Sequence, residues 1–402
     1  MKYDFDTVID RRNADSIKWN VAETVLPMWV ADMDFRTAPE ILDALKSRLN
    51  HGVFGYADVP DAWYKAYINW WEKRHGLKME KENLTFSAGV MPSIFSIIKR
   101  FAAPGENIVI QSPVYNNFYN CIENSGCNVV ENQLLYKDGA YAIDFTDLEQ
   151  KLLNPQTNVM ILCNPHNPIG KIWSAEDLAK IGELAKKYNV TVISDEIHCD
   201  ITEPGKSYVP FAAASETCRK VSVTCIAPTK TFNLAGLHTS AVYAPNPVLR
   251  RKVRHALYTD KIAAPNSFAT VAAIAAFEQG ESWLESLREY LWENRKLVED
   301  FLAKELPEIK AVKGDATYLV WLDISALPET GRNVAAYLRR KTGLFLIGGD
   351  AYGTGGEHFL RLNIACPKSV CLDGLKRLKQ GVKSLETEKI RIDHVFESTN
   401  RS

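Results

Sequence analysis

Three short runs of apolar residues, Asn107–Gln111 (NIVIQ), Val159–Cys163 (VMILC) and Val190–Ser194 (VTVIS), stand out from an otherwise mixed chain. Runs of that length without polar alternation predict strands buried on both faces, as in a parallel sheet. Between the second and third, Ser174–Tyr188 reads as a helix, with Ser174 at the N-cap and Asp177 three residues later. Strand, helix and strand at this spacing predict α/β winding. Val221–Ile226 (VSVTCI) predicts a further strand. Glu281–Lys304, rich in Glu, Arg and Leu, predicts a long helix that leads into a strand at Ala316–Asp323 (ATYLVWLD). The pattern places a large α/β domain with a mostly parallel central sheet at residues 50–280. A smaller α+β domain combines residues 1–49 with 281–390, and residues 391–402 form a polar tail.

Composition narrows the class. A chain of 402 residues with 46% hydrophobic and 24% charged residues is that of a globular protein too long for one ordinary core. Lys and Arg number 48 against 49 Asp and Glu, which gives no reason to expect nucleic acid or an anionic membrane as partner. No apolar run approaches the roughly eighteen residues of a membrane span, and Met1–Asp10 lacks the apolar segment of a secretory signal. The eight cysteines are scattered, with neither a CxxC pair nor zinc-like spacing. No metal site is expected. Reduced thiols in a cytoplasmic protein are the reading, with Cys163 and Cys199 as small buried residues. Trp70, Trp71, Trp283 and Trp292 are expected in the core or an interface.

Four loops carry candidate chemistry. In Thr85–Arg100 (TFSAGVMPSIFSIIKR) a strand ends at Ser87, Ala88 and Gly89 turn, and Pro92 opens a helix, where its missing N–H costs nothing. The free N–H groups around Val90 and Met91, with the helix dipole behind them, suit a phosphate. Cys163–Gly170 (CNPHNPIG) puts two Asn–Pro pairs at the carboxyl end of a strand, a stiff loop where α/β sheets bind ligands. A cis proline there would fix the direction of an Asn side chain; His166 lines the site or serves the loop. Ser194–Asp200 (SDEIHCD) ends the next strand with Asp195, a buried carboxylate that needs a cation: a protonated pyridine nitrogen, or a lysine or arginine from elsewhere. In Ala227–Gly236 (APTKTFNLAG), Lys230 follows a strand and a hydroxyl residue, as a Schiff-base nucleophile would. One cofactor uses all four loops, through its phosphate, ring oxygen, ring nitrogen and aldehyde. Gly353–Gly356 (GTGG) follows no strand–helix context of a dinucleotide site and reads as a loop near the substrate.

This order of loops resembles fold-type I pyridoxal-phosphate enzymes, the class I/II aminotransferase superfamily. The resemblance narrows to the MalY/PatB type of cystathionine β-lyase, through Tyr3–Asn13 (YDFDTVIDRRN), Leu26–Phe35 (LPMWVADMDF), His51–Tyr56 (HGVFGY), Gln111–Tyr115 (QSPVY), Leu162–Gly170, Ser194–His198, Lys230–Leu237 (KTFNLAGL) and Arg361–Pro367 (RLNIACP). It implies pyridoxal 5'-phosphate as cofactor, held by Lys230. It also implies Asp195 at the pyridine nitrogen, Asn167 at the ring oxygen, His198 reaching the same oxygen, and Tyr115 stacked on the ring. Gly89, Val90 and Met91, with Thr229, would hold the phosphate, joined by Tyr56 from the neighbouring subunit of a homodimer. Arg361 would bind the substrate carboxylate as a bidentate pair. Two positions depart from the pattern: His238 stands where many aminotransferases have a phosphate-binding arginine, and Ala227 where a serine is common.

The implied reaction is β-elimination from cystathionine, cysteine or related S-conjugates to a thiol, pyruvate and ammonia. Lys230, Asp195 and Tyr115 form the catalytic set, with Lys230 removing the Cα proton and the Asp195–pyridinium pair keeping the ring an electron sink. The same residues serve transamination, so a class I/II aminotransferase is the first alternative. A second role as a regulator that binds another protein is the other alternative.

Overall fold

The computed structural model describes residues 3–388; the polar tail expected at 391–402 lies outside the described residues. A seven-stranded sheet runs in the order Leu84–Ser87, Ser240–Tyr243, Ser222–Ile226, Thr191–Asp195, Thr157–Cys163, Asn107–Ile110, Asn128–Glu131. Only Ser240–Tyr243 runs against its neighbours. The apolar runs become these strands because both faces are covered: Met160, Ile161, Val192, Ile193, Val223 and Cys225 are all fully buried. The helix Ala175–Lys187 packs beside them. Ser174 caps it, accepting the Asp177 N–H at 3.0 Å, and Glu176 with Asp177 at one end and Lys186 with Lys187 at the other complement the helix dipole.

A second, antiparallel sheet follows the order Lys310–Ala311, Leu319–Asp323, Phe359–Asn363, Ile347–Gly348. The long helix Glu281–Glu305 precedes it. Leu26–Pro27 pairs in parallel with Leu344–Phe345, which carries the start of the chain onto this side of the molecule. Among the described residues no helix is long and apolar enough to cross a membrane. Trp70, Trp71 and Trp283 are buried and Trp292 is partly so. All eight cysteines are free thiols.

Three local expectations shift. The helix after Gly89 spans Val90–Phe101, so Pro92 sits at its third position rather than its first; the N–H groups of the whole first turn lack partners, and proline is equally harmless there. Val221 ends a short helix, Glu216–Val221, and the strand begins one residue later. The strand expected from Ala316 starts at Leu319. Thr317 adopts φ +69°, donates its N–H to Ile201 at 2.7 Å and accepts the Leu319 N–H on its hydroxyl at 3.2 Å, which turns the chain out of strand geometry.

The segment Trp29–Phe35 has neither helix nor strand, yet side chains hold its carbonyls one after another. Arg361 donates to Trp29 O at 2.7 Å. Asn363 donates to both Val30 O and Asp32 O, the latter at 2.7 Å. Lys230 and Tyr318 both donate to Ala31 O, and Arg11 and Asn233 both donate to Met33 O at 3.0 Å. Asn233 also reaches Phe35 O. Beside this strap the buried Asp34 carboxylate takes Arg11 at 2.6 Å, Lys18 at 2.7 Å and the Trp19 indole at 2.8 Å. Irregular backbone is buried here because side chains meet its polar groups.

Candidate active site

Five strands of the large sheet that run the same way end at one edge. The loops that leave them, Ala88–Met91, Gln111–Tyr115, Asn164–Asn167, Ile197–His198 and Ala227–Lys230, therefore meet there. They enclose a cavity of about 230 Å³ lined by Gly89, Val90, Met91, Tyr115, Asn167, Asp195, His198, Thr229 and Lys230, all of them expected from the sequence. Ala31, Cys163, Ile197, His238 and Thr239 are also part of the wall. Arg361 lies behind Asn167, whose side-chain oxygen accepts its Nη1 at 3.2 Å. Tyr56 is fully exposed and stands outside the cavity of its own chain. His166 serves the loop: it is buried, its Nε2 contacts Pro113 O at 3.0 Å, and its ring meets Trp173 edge-on. Asn164–Pro165 and Asn167–Pro168 are both cis.

The electrostatics of the cavity are unbalanced in a specific way. The Asp195 carboxylate is buried; among the described residues it accepts only the Ile197 N–H, at 3.1 Å, and no cation pairs with it. Burial pushes it up to about 7, against weaker downward pulls from that hydrogen bond and from Lys230. Burial lowers Lys230 to about 8, with Arg361 adding to the effect and Asp32 and Asp195 opposing it. His198 is driven down to about 3 by burial and by the Lys230 and Arg361 charges, so its imidazole is neutral, with Nδ1 unpaired among the described residues. The result is an acceptor without a cation, an amine with unusually easy access to its neutral form, and a neutral donor–acceptor ring.

At the other end of the cavity the helix Val90–Phe101 starts at Gly89 without any side-chain cap and with no acidic residue in its first turn. Its free N–H groups and dipole favour an anion. Any side chain at position 89 would press on Pro92, since a Cβ there would come within 3.1 Å of Cδ. The Arg361 guanidinium lies over the Tyr352 ring at 5.1 Å and donates from Nη1 and Nη2, while its Nε, buried, has no partner among the described residues. That Nε is a donor left over for a further acceptor. The geometry thus complements a ligand with an anionic group at one end, a cationic ring nitrogen over Asp195 and an electrophilic carbon at Lys230. A phosphorylated pyridine aldehyde fits each of these points.

Residues outside the sequence-based set hold these groups in place. Asp200, fully buried, takes His75 at 2.9 Å, Trp70 at 3.1 Å and the Thr231 hydroxyl at 2.9 Å, with Arg74 at 3.4 Å, and so ties the residue after Lys230 to the helix Asp61–His75. Asn233, Asn363 and Tyr318 act on the strap. All three lie in segments already singled out, but a period of apolar positions says nothing about which polar residue clamps a distant carbonyl.

The chain is similar to known proteins over nearly its whole length. A family model described as aminotransferase class I and II matches residues 23–378. Cystathionine beta-lyase PatB of Bacillus subtilis (strain 168) is 44% identical over 381 residues, which cover 93% of this chain and 98% of that protein. The crystal structure of cystalysin from Treponema denticola, which contains a pyridoxal 5'-phosphate cofactor, superposes with a TM-score of 0.93 at 33% identity, covering 96% of this chain and 100% of the other. A PLP-bound putative aminotransferase from Clostridium difficile 630 gives a TM-score of 0.92 at 38% identity, covering 94% and 100%.

The unpaired Asp195 predicts a pH-dependent effect on ligand-free protein. A carboxyl whose folded pKa of about 7 exceeds its unfolded value of 3.8 destabilises the fold as pH rises between the two. Asp195→Asn is expected to match the parent below about pH 4 and to exceed it at pH 8 by on the order of 2–4 kcal/mol. Urea unfolding at pH 5 and pH 8 measures this. A difference between the two proteins that does not grow with pH would mean that the carboxylate is compensated.

Proposed function

The chain belongs to the aminotransferase class I and II family and has its fold-type I architecture; on that premise we propose that it is a pyridoxal-phosphate-dependent carbon–sulfur β-lyase that cleaves cystathionine, cysteine or related S-conjugates. The observation that carries the cofactor is the pairing of a buried, uncompensated Asp195 with a Lys230 amine lowered to about 8 in one cavity. The likeness to PatB carries the sulfur chemistry.

Bound there, pyridoxal 5'-phosphate supplies an aldehyde that combines with amines and a ring that accepts the electron pair left at Cα. Lys230 would hold the aldehyde and, as a free amine, would take the proton from the substrate Cα. Asp195 keeps the ring nitrogen protonated by pairing with it. Asn167 and His198 address the ring oxygen and Tyr115 covers one face. The Val90 and Met91 N–H groups, the turn at Gly89 and the Thr229 hydroxyl hold the phosphate. Arg361 takes the substrate α-carboxylate on its free Nε side, with its orientation set by Asn167, Trp29 O and the Tyr352 ring. The bond that breaks is Cβ–S: sulfur leaves with the electron pair and is protonated to the thiol, and water converts the remaining three-carbon fragment to pyruvate and ammonia. Residues 50–280 form the cofactor domain and residues 1–49 with 281–390 the smaller one, a division supported by the two sheets falling on either side of it. Eight free thiols fit a cytoplasmic enzyme.

The working unit in this reading is a homodimer. Leu49, Val53, Phe54 and Tyr56 are exposed apolar residues in one stretch, and Phe54 packs on Phe268 at 5.6 Å. Asn266, two residues before Phe268, donates to Leu237 O at 2.9 Å, next to His238 on the cavity wall. The patch therefore adjoins the phosphate end, where His238 and Ala227 leave the anion short of the usual side-chain donors. A second copy covering the patch would bring its Tyr56 to that phosphate.

Three experiments test these statements. Cystathionine is expected to give pyruvate, ammonia and homocysteine in equal amounts without any keto acid, and Arg361→Lys to weaken substrate binding about ten- to a hundredfold, the worth of a charge-assisted contact. Turnover that requires a keto acid and yields no pyruvate would make the protein an aminotransferase, the reading that the Clostridium difficile structure's description favours. Mixing Lys230→Ala chains with Tyr56→Phe chains is expected to restore activity, because one site of each hybrid dimer is then intact. No recovery in confirmed hybrids, with Tyr56→Phe alone impaired, would place Tyr56 in its own subunit's site.

A further inference from the structure

Tyr318 is fully buried at the start of the antiparallel sheet, and its hydroxyl donates to the Ala31 carbonyl at 3.0 Å. The Lys230 amine donates to that same oxygen. The oxygen is not free to follow either donor. On one side Asn363 holds the Val30 and Asp32 carbonyls, and on the other Asn233 holds Met33 through its N–H at 3.1 Å and its carbonyl at 3.0 Å. The Tyr318 ring also packs edge-on to His198 at 5.9 Å, inside the group of residues around Lys230. Burial and the nearby Asp32 raise the phenol well above its ordinary value, so at neutral pH it is a hydrogen-bond donor only toward this carbonyl.

We propose that Tyr318 is a positioning residue for Lys230: by sharing the Ala31 carbonyl, it gives the free lysine amine a fixed resting point while weakening that carbonyl's hold on the protonated form. An oxygen that already accepts one hydrogen bond accepts a second less strongly, and a charged ammonium loses more by this than a neutral amine does. The shared acceptor thus favours the neutral amine, the form that can add to an aldehyde or take a Cα proton. The other charged or titratable groups facing the amine are Asp32 on the strap, Arg361 on its strand, Asp195 at its strand end and His198 beyond it. None of them donates a hydrogen bond to Ala31 O, and Tyr318→Phe removes none of them.

The inference rests on Lys230 as the reactive amine of the proposed enzyme, and its test is chosen so that the two can fail separately. Competitive labelling of the full-length, cofactor-free chain with acetic anhydride, read by mass spectrometry at Lys230 across pH 6–11, reports the amine itself with no lyase assay. In the parent the labelling midpoint is expected near 8. In Tyr318→Phe it is expected to rise by about half to one pH unit, which leaves three- to tenfold less neutral amine at pH 7. The rate at which the chain captures pyridoxal 5'-phosphate should fall by the same factor at pH 7 and recover above the new midpoint. Damage to the fold would slow capture at every pH. Tyr318→Leu also removes the hydroxyl and is expected to give the same alkaline shift if the phenylalanine variant does not fold. A midpoint unchanged or lowered in the folded variants would overturn the role of Tyr318. A normal shift in a protein that releases no pyruvate from cystathionine would leave it standing and overturn the lyase reading instead.

Discussion

A carboxylate buried without a cation is costly, and Asp195 is one. Its position at the carboxyl edge of the parallel strands, opposite a lysine that is partly buried in the same cavity, makes the two groups complementary to a ligand rather than to each other. Had they paired, Asp195 would sit low and Lys230 high; instead Asp195 is raised to about 7 and Lys230 lowered to about 8. The sheet supplies this separation. Cys163, Asp195 and Cys225 are in register on adjacent strands, and each loop that follows delivers one more group to the same cavity. A ligand that brings a ring cation and an electrophile relieves both strained protonation states, so the cost of the empty arrangement becomes affinity and reactivity when the site is filled.

The second sheet and the N-terminal strap complete the site from the other side. Arg361 is fixed by pairing with Trp321 and Ile347 in the antiparallel sheet, and its head group is aimed by Asn167 and the Trp29 carbonyl. Two residues along the same strap, Ala31 holds Lys230. Arg361 and Lys230 are therefore attached to one short piece of backbone, itself held by Asn233, Asn363 and the Asp34 knot.

The fold was legible where burial dictates pattern. The runs at Asn107, Val159 and Val190 became strands within two residues of the expected limits, and Ser174 caps its helix as its position suggests. The misplacements at Pro92, Val221 and Ala316 fall at element ends, where hydrogen bonds outside the element decide the boundary, as the Thr317 turn shows. Nine site residues, from Gly89 to Lys230, line one cavity as the order of the loops predicts. Arg361 stands behind that wall, held to Asn167, whereas Tyr56 is fully exposed on its own chain. The clamps on the strap were not legible, because Asn233, Asn363 and Tyr318 bond backbone carbonyls about 200 to 330 residues away and no local period encodes that.

The central claim is that Lys230, among all the lysines of the chain, is the one that carries the cofactor. Its most direct test is to load purified protein with pyridoxal 5'-phosphate, reduce it with borohydride and map the fixed adduct by mass spectrometry. The account predicts a stable adduct on Lys230 in the parent and none there in Lys230→Ala. An adduct on a different lysine of the parent, or no adduct in protein that binds the cofactor, would contradict it.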